Sequence, residues 1–342
     1  MTDALAARLL PITLACLPAC SSAPPRPWGF NYDHDEQDRL LEDYWQAEWA
    51  KVAADFGEMK ELGANTVRVH LQLAKFMTSP TTTDLAALAR LDDLLRLAEQ
   101  LDLQLDITGL GCYRKSDVPA WYDALAEADR WEVQARFWRA VAERGAHSDA
   151  VLCYDLMNEP VAPAGRRANG EWLGPPFAGF CFVQFIALDQ GDRPRPEIAR
   201  AWIRRLTRAI RAVDERHAIT VGLVPWSLDR PGLTSGFVPS EIAAELDFVS
   251  VHLYPEAGKL DAALDTLAGF AAQRPVLVEE IFPIACSVEE AAQFIERGHD
   301  LAWGWISFYW GRTIAESRAT AELRDALMAK WLAWWQAQRT QR

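Results

Sequence analysis

Basic residues are scarce in this sequence: 35 Lys and Arg stand against 48 Asp and Glu, a formal net charge of −13 over 342 residues. A nucleic-acid binder needs a concentrated basic surface to displace counterions from phosphate, so no nucleic-acid partner is expected. Long apolar runs are missing too. The run Leu9 to Ala19 is too short to span a bilayer as a helix. The six cysteines have no C-x-x-C pairing and no metal-ligand spacing. Cys112, Cys153, Cys181 and Cys286 are expected to be buried or partly disulfide-bonded. The six histidines contain no His-x-His pair, which argues against the clustered strand-end ligands of a metal-dependent barrel hydrolase. Neither a metal nor a cofactor is expected. From Pro27 onward there is no internal repeat and no linker, so a single domain over 27–342 is expected.

What is present fits a packed globular body. Half the residues are hydrophobic and 24% are charged, ordinary for a chain with a sizeable core, and the acidic balance suits a neutral substrate. Fifteen Trp are unusual; indole faces suit a large core or the apolar faces of sugar rings, and roughly three to five are expected near a site. At the N-terminus the short apolar run follows a weakly basic start containing Arg8 and reads as a signal-peptide core. It ends in Leu17-Pro18-Ala19-Cys20, which resembles the cleavage box of bacterial lipoproteins, and a Pro-rich tether follows. The expectation is residues 1–26 as export signal and tether. The protein is then periplasmic or membrane-anchored through lipid on Cys20, and cytoplasmic if the N-terminus is not a signal.

Beyond Pro27, short β-branched or aromatic runs alternate with amphipathic stretches, the pattern of parallel strands joined by crossover helices. Strands are predicted at Trp28 to Tyr32, Thr66 to Leu71, Gln104 to Thr108, Val151 to Met157, Ile219 to Val224, Phe248 to Leu253, Val276 to Glu280 and Gly304 to Tyr309. Helices are predicted at Trp49 to Leu62, Asp84 to Leu101, Arg130 to Arg144, Glu197 to Arg216, Leu260 to Ala272, Val288 to Arg297 and Ala321 to Gln338. Leu85, Leu88, Leu91, Leu95 and Ala98 form one apolar stripe, and Gly63 sits where a helix stop is needed. Eight such units close most naturally into a single (β/α)8 barrel of the TIM type, an α/β fold. The glycine- and proline-rich excursion from Val161 to Pro196 is then a loop over the active-site face.

Barrel sites are built from the C-terminal ends of strands. Strand four ends in Asn158-Glu159-Pro160 and strand seven in Glu279-Glu280. Strands four and seven lie on opposite sides of a barrel mouth, so two glutamates face each other across a cleft. Cleavage of a glycosidic bond needs such a pair, one to protonate the leaving oxygen and one to attack or stabilise the anomeric carbon.

Several motifs in order then resemble glycoside hydrolase family 5. Leu62-Gly63-Ala64-Asn65-Thr66-Val67-Arg68 is similar to the family's strand-two arginine segment. Asn158-Glu159-Pro160 resembles its acid/base signature, His252-Leu253-Tyr254 its strand-six His-x-Tyr, and Pro275 to Glu280 its nucleophile strand. Trp310 is placed like the strand-eight tryptophan that floors the sugar subsite. The resemblance covers roughly Pro27 to Trp310. There are departures. Thr108 replaces the histidine that often ends strand three, and Ile281-Phe282-Pro283 follows the nucleophile where a glycine is common. Strand alternation points Glu279 and Glu280 to opposite faces, so that only one enters the site; the motif alignment selects Glu280.

The resemblance implies a retaining hydrolase of β-glycosidic bonds, with Glu159 as general acid/base, Glu280 as nucleophile and a carboxyl separation near ~5 Å. Arg68 and Tyr254 would support Glu280, His252 would orient Glu159 or a sugar hydroxyl, and Asn158 would meet the substrate 2-hydroxyl. His70 reads as a core or rim histidine, Asp155 and Asp247 as structural. Trp28, Trp121 and Trp226 stack on sugars or pack. A monomer acting on a carbohydrate is expected. The alternatives are a transglycosylase using the same intermediate and a non-catalytic carbohydrate-binding lipoprotein on a decayed barrel.

Overall fold

A computed structural model describes residues 26–228 and 234–339. The expected export signal, the expected tether as far as Pro25, and Cys20 lie outside the described residues. Eight parallel strands close into a barrel in sequence order: β1 (Trp28–Tyr32), β2 (Thr66–Gln72), β3 (Gln104–Gly111), β4 (Val151–Asn158), β5 (Ala218–Leu223), β6 (Val249–His252), β7 (Val276–Glu280) and β8 (Gly304–Phe308). β1 closes on β8 with Trp28 opposite Trp305. Their residues are almost all buried, as parallel strands covered on both faces must be.

The crossovers are α1 (Trp49–Glu61), α2 (Leu85–Gln100), α3 (Glu127–Gly145), α4 (Arg195–Arg211), α5 (Pro239–Ile242), α6 (Leu260–Ala271), α7 (Val288–Gly298) and α8 (Leu323–Gln338). Local chemistry sets their ends. The Asp84 carboxylate accepts from the amides of Ala86 and Ala87 at 2.8 and 2.9 Å and starts α2. Ser287 and Glu290 make a reciprocal capping box on α7. Gly63, at φ +96, turns the chain from α1 towards β2.

The apolar stripe of α2 begins one turn later than predicted: Leu88, Leu91, Leu94, Leu95 and Ala98 are buried, while Leu85 in the first turn is 71% exposed. Among the described residues, the fifth unit crosses on the four-residue α5 and short 3-10 turns at Pro225–Ser227 and Ala243–Glu245. α8 closes the ring by setting Trp335 against Trp28, ring centroids 3.7 Å apart, and against Phe30 at 5.3 Å. Trp28 is therefore packing, as are most of the tryptophans, including Trp138, Trp202 and Trp331. The four described cysteines are free; of the two expected alternatives, burial holds for Cys112, Cys153 and Cys181, while Cys286 is half-buried. Among the described residues, no helix is long and apolar enough to cross a membrane.

Candidate active site

The guanidinium of Arg68, on β2, organises the mouth of the barrel. Its side chain is fully buried. Nη1 donates to Glu280 Oε1 at 2.7 Å and to Asn31 Oδ1 at 3.0 Å. Nη2 donates to Asp155 Oδ2 at 2.8 Å and to Asn158 Oδ1 at 3.0 Å. One planar fork thus ties β1, β4 and β7 together. Asp155 also accepts from the Thr108 hydroxyl at 2.8 Å and the Gly222 amide at 2.7 Å. Thr108 does not end its strand, since β3 runs on to Gly111. It sits one layer inside the barrel, where it orients Asp155.

Gly222 is where this interior is tightest. A Cβ there would stand 3.0 Å from His252 Nε2, 3.1 Å from Arg68 Nη2 and 3.2 Å from Glu279 Oε2, so only glycine lets the cations and the carboxylate meet. Burial and the charge of Glu279 push Asp106, deeper in the barrel, far above the usual carboxylate range. The same two causes raise Asp155, against the pull of Arg68.

Both glutamates of β7 point inwards, contrary to the alternation expectation. Glu279 is fully buried, its Oε2 lying 3.8 Å from both Arg68 and His252; Glu280 stands above it at the mouth. The pairing of β6 with β7 shifts between Val251 and His252, so that His252 faces Glu280 and skips Glu279. A shift of one residue turns two successive side chains to the same side. Glu159 is turned inwards by a different device. It has φ +47, a left-handed backbone that costs a non-glycine residue about 1 kcal/mol or more. Its amide donates to Gly222 O at 3.0 Å and its carbonyl accepts from Gln184 N at 3.3 Å, which pin the turn from both sides.

At the mouth, His252 Nδ1 lies 2.9 Å from Glu159 Oε1 and 3.4 Å from Glu280 Oε2. Burial opposes a charge on this ring, but Glu280 and the contacts to Glu159 and Glu279 outweigh it and raise the imidazole to about 10. His252 is an imidazolium at neutral pH. The Tyr254 hydroxyl donates to Glu280 Oε2 at 2.5 Å, and burial with the Glu280 charge keeps that phenol protonated. Oxygens of Glu159 and Glu280 and the His252 ring nitrogen lie within 4.8 Å of one another, close enough to share a cation. They are already engaged: Glu280 has Arg68 on one oxygen and Tyr254 on the other, and His252 carries a proton between two carboxylates. Such a set fits proton handling better than metal ligation.

The two glutamates open into a cavity of about 530 Å³. Trp310 lines it, stacked on His34 at 5.4 Å with the Arg324 guanidinium 4.7 Å from its ring. Arg68, Asn158, Glu159, His252, Tyr254, Glu280 and Trp310 are thus brought to one place. The expected cluster of tryptophans is not: Trp310 is the one tryptophan of the lining, and the other large aromatic faces there are mainly phenylalanines from the Val161 to Pro196 loop and from the ends of β7 and β8. Trp121 and Trp226 do not reach it. His70 does, though only 4% exposed; burial and the Arg68 charge hold it neutral, between Tyr113 and Asn31.

Sequence reasoning missed Asp33 and His34. Asp33 is buried in the lining, 3.0 Å from His34, and its Oδ1 has no hydrogen-bond partner among the described residues. Burial alone would raise this carboxyl, but the His34 charge overrides it and holds it at about 2. The signal was available, since the apolar run of β1 stops on Asp33-His34-Asp35 as the other site strands stop on theirs.

The family model described as cellulase (glycosyl hydrolase family 5) matches residues 31–281. The mannan endo-1,4-beta-mannosidase A of Emericella nidulans is 25% identical over 254 residues, 66% of this chain and 57% of that protein. The probable counterpart from Aspergillus clavatus is 25% identical over 240 residues, 62% and 58% respectively. The chain thus spans less than two thirds of the length of these relatives. Among solved structures, an endo-1,4-beta-mannanase from Rhizomucor miehei superposes with a TM-score of 0.63 at 16% identity, covering 95% of this chain and 97% of that one. A family 5 subfamily 18 protein from Streptomyces cattleya, in complex with Manb1-4GlcNAc, does so at 0.60 and 22%, over 83% and 70%. The structures share the fold, and the match over most of the barrel shows that the chain belongs to glycoside hydrolase family 5.

Proposed function

We propose that the chain is a retaining β-glycosidase that works by double displacement. The observation that carries this reading is the spacing of Glu159 and Glu280, whose nearest oxygens lie within 4.8 Å. That fits the ~5 to 5.5 Å between the carboxyls of a retaining acid and nucleophile better than the ~6.5 to 9.5 Å of an inverting pair.

Glu280, oriented by the hydrogen bonds from Arg68 and Tyr254, attacks the anomeric carbon while Glu159 gives its proton to the departing oxygen. A covalent glycosyl-enzyme forms. Glu159, now ionised, takes a proton from water, the water attacks the same carbon, and Glu280 leaves with the electron pair of the ester bond. One amide hydrogen of Asn158 holds Phe182 O at 3.2 Å, and the other is left for the 2-hydroxyl. Trp310 offers an indole to the sugar ring. The names of the relatives make β-mannosides the first substrates to test, and the loop walling the cavity favours short or terminal units over a long glycan lying across the cleft.

Assays of aryl β-mannosides and β-glucosides on wild type, Glu159→Ala and Glu280→Ala test the reading. Both variants are expected to lose at least about a thousandfold in kcat/KM. Azide is expected to rescue Glu280→Ala, giving a glycosyl azide of inverted configuration. Full activity in either variant would refute it.

A further inference from the structure

The wall of the cavity on the acid/base side is built for something other than sugar. It comes from the loop that leaves Glu159, and it is tied to that end of the site by Asn158 Nδ2 on Phe182 O and by Gln184 N on Glu159 O. Its side chains are Pro175, Phe177, Ala178, Phe180, Phe182 and Val183. Part of the wall's backbone is paired within the loop or to Tyr113. Phe177 and Phe180 exchange amide-to-carbonyl bonds at 2.8 and 3.0 Å, Gly174 N donates to Val183 O at 2.8 Å, and Cys181 N to Tyr113 O at 2.7 Å. A sugar laid there would leave hydroxyl groups without partners, each at a cost of about 1 to 3 kcal/mol, whereas a hydrocarbon loses nothing.

The aromatic faces continue past the His34 imidazole to Trp310 and Phe282 and reach the outside. Ring contacts run from Phe182 to Phe180 at 5.7 Å, from Phe180 to His34 at 5.4 Å, and through Trp310 to Phe282 at 5.2 Å. Of the four large hydrophobic residues that stand exposed among the described residues, two belong to this cavity: Phe177 at 66% and Ile284 at 58%. Single exposed apolar side chains need no explanation, but a pair on the lining of the catalytic cavity has a use. Besides the two glutamates, the polar side chains of the lining are Asp33, His34, Asp38, His70, Tyr254 and Arg324; none belongs to the loop, although the His34 ring meets it at Phe180.

We infer that the leaving-group side of the site is a subsite for an extended hydrocarbon aglycone, so that the substrate is a short β-glycoside carried on an alkyl or acyl chain. This rests on the glycosidase reading, which places the leaving group on the side of Glu159. The sugar sits between Glu159, Glu280 and Trp310. The chain passes over Phe182 and Phe180 and leaves across Phe177 and Ile284.

The test uses n-alkyl β-mannosides and β-glucosides from methyl to octyl, below their micelle concentrations, with phenyl β-mannoside and mannobiose as comparators. Two readouts are taken: kcat/KM of the wild type, and binding to Glu159→Gln by calorimetry. Both are expected to improve by roughly two- to fourfold per methylene, as removal of each CH₂ from water requires. The slope against chain length is expected to fall by half or more in the Phe177→Ser, Ile284→Ser double variant, whose changes lie on exposed side chains.

A flat slope, or an equal slope in the double variant, overturns the inference. So does mannobiose binding as well as the octyl glycoside, which would make this a glycan subsite, or phenyl doing so, which would make it a compact aromatic one. If binding climbs with chain length but no glycoside is turned over, the subsite stands and the glycosidase reading falls.

Discussion

Replacing Arg68 by Met keeps the length of the side chain and removes the charge on which the mouth of the barrel is organised. Its fork contacts Glu280 at 2.7 Å and Asp155 at 2.8 Å, with Glu279 at 3.8 Å; Arg68, Asp155 and Glu279 are closed to solvent, and Glu280 opens on the cavity. Without it, His252 is the cation left in contact with Glu279 and Glu280. Breaking a buried ion pair from one side costs about 3 to 5 kcal/mol. At ~2.1 cal/mol/K of unfolding entropy per residue, a chain of this size loses about 1.5 °C per kcal/mol, so melting is expected to fall by about 5 to 8 °C at pH 8.

The sign with pH follows from linkage. Carboxylates stripped of their cation bind protons more tightly in the folded state, so the penalty shrinks as pH falls towards 5 and grows as it rises. Losing the charge-assisted bond to Glu280 is expected to lower kcat/KM by roughly 10- to 100-fold on an aryl glycoside. Arg68→Lys is expected to recover little, because one ammonium cannot reach Glu280 and Asp155 with separate parallel donors. Calorimetric melts of the three proteins at pH 5 and pH 8 decide it. A Met variant within 2 °C of wild type at pH 8, or one penalised more at pH 5, would show that the fork does not carry this charge balance.

Three further outcomes are expected. Glu42 accepts from Gln72 N at 2.7 Å and Gln72 Nε2 at 2.9 Å, yet burial raises it to about 7 from its ordinary 4.5. The folded state therefore holds this proton to higher pH than the unfolded chain, and wild-type stability is expected to fall by about 3 kcal/mol between pH 4.5 and 7 relative to Glu42→Gln, read from urea titrations. Asp33→Asn removes the charged acceptor facing the cavity without changing its shape; a rise in KM and a roughly 10- to 100-fold fall in kcat/KM are expected, and unchanged kinetics would remove Asp33 from the sugar site. Gly222→Ala forces a methyl against Arg68, His252 and Glu279; a loss of about 1 to 3 kcal/mol in stability is expected from melts, with loss of activity at temperatures where the variant is still folded.

The barrel and most of the site were legible because each site strand is an apolar run that stops abruptly on polar residues. Asn158, Glu159, His252, Tyr254 and Glu280 stand at or just past such stops, while Arg68 lies within β2 and was legible from its motif; closing the barrel brings them to one mouth whatever their separation in sequence. The failures have one physical origin. Strand alternation assumes regular backbone, and the site departs from it twice, at the left-handed Glu159 and at the register shift beside His252. Neither carries a glycine or a proline that would announce it at the residue itself. Thr108 was placed one layer too high because β3 continues through Thr108-Gly109-Leu110-Gly111, a stretch whose glycines read as the end of a strand. The phenylalanine wall was out of reach for another reason. A loop has no period, so nothing in the order of Phe177, Phe180 and Phe182 says which way they face.

His252 is where the charge balance and the proposed chemistry can be separated. It is faced by Arg68 from β2, by Glu159 from the end of β4 and by Glu279 and Glu280 from β7. Its proton is held to about 10 in the folded protein against 6.5 for the free side chain. A raised folded value gives stability that is complete below the unfolded value and is lost as pH climbs through the folded one. Relative to His252→Asn, wild type is expected to be favoured by up to about 5 kcal/mol near pH 6, an advantage that vanishes by about pH 10. That much follows for any buried imidazolium. The catalytic consequence does not. A cation 2.9 Å from Glu159 Oε1 draws on the proton that the leaving group needs, worth up to ~4 kcal/mol at the effective dielectric of a protein interior. In the proposed glycosylation step the negative charge passes from Glu280, which becomes an ester, to Glu159, so the His252 cation is then paired with the carboxylate that must act as base. With a neutral Asn in its place, the alkaline limb of kcat/KM, which belongs to the coupled group, is expected to move up by at least about one pH unit while the maximum rate falls. A limb that stays where it is, with the stability difference intact, would make His252 a structural cation and leave the proton traffic to the two glutamates alone.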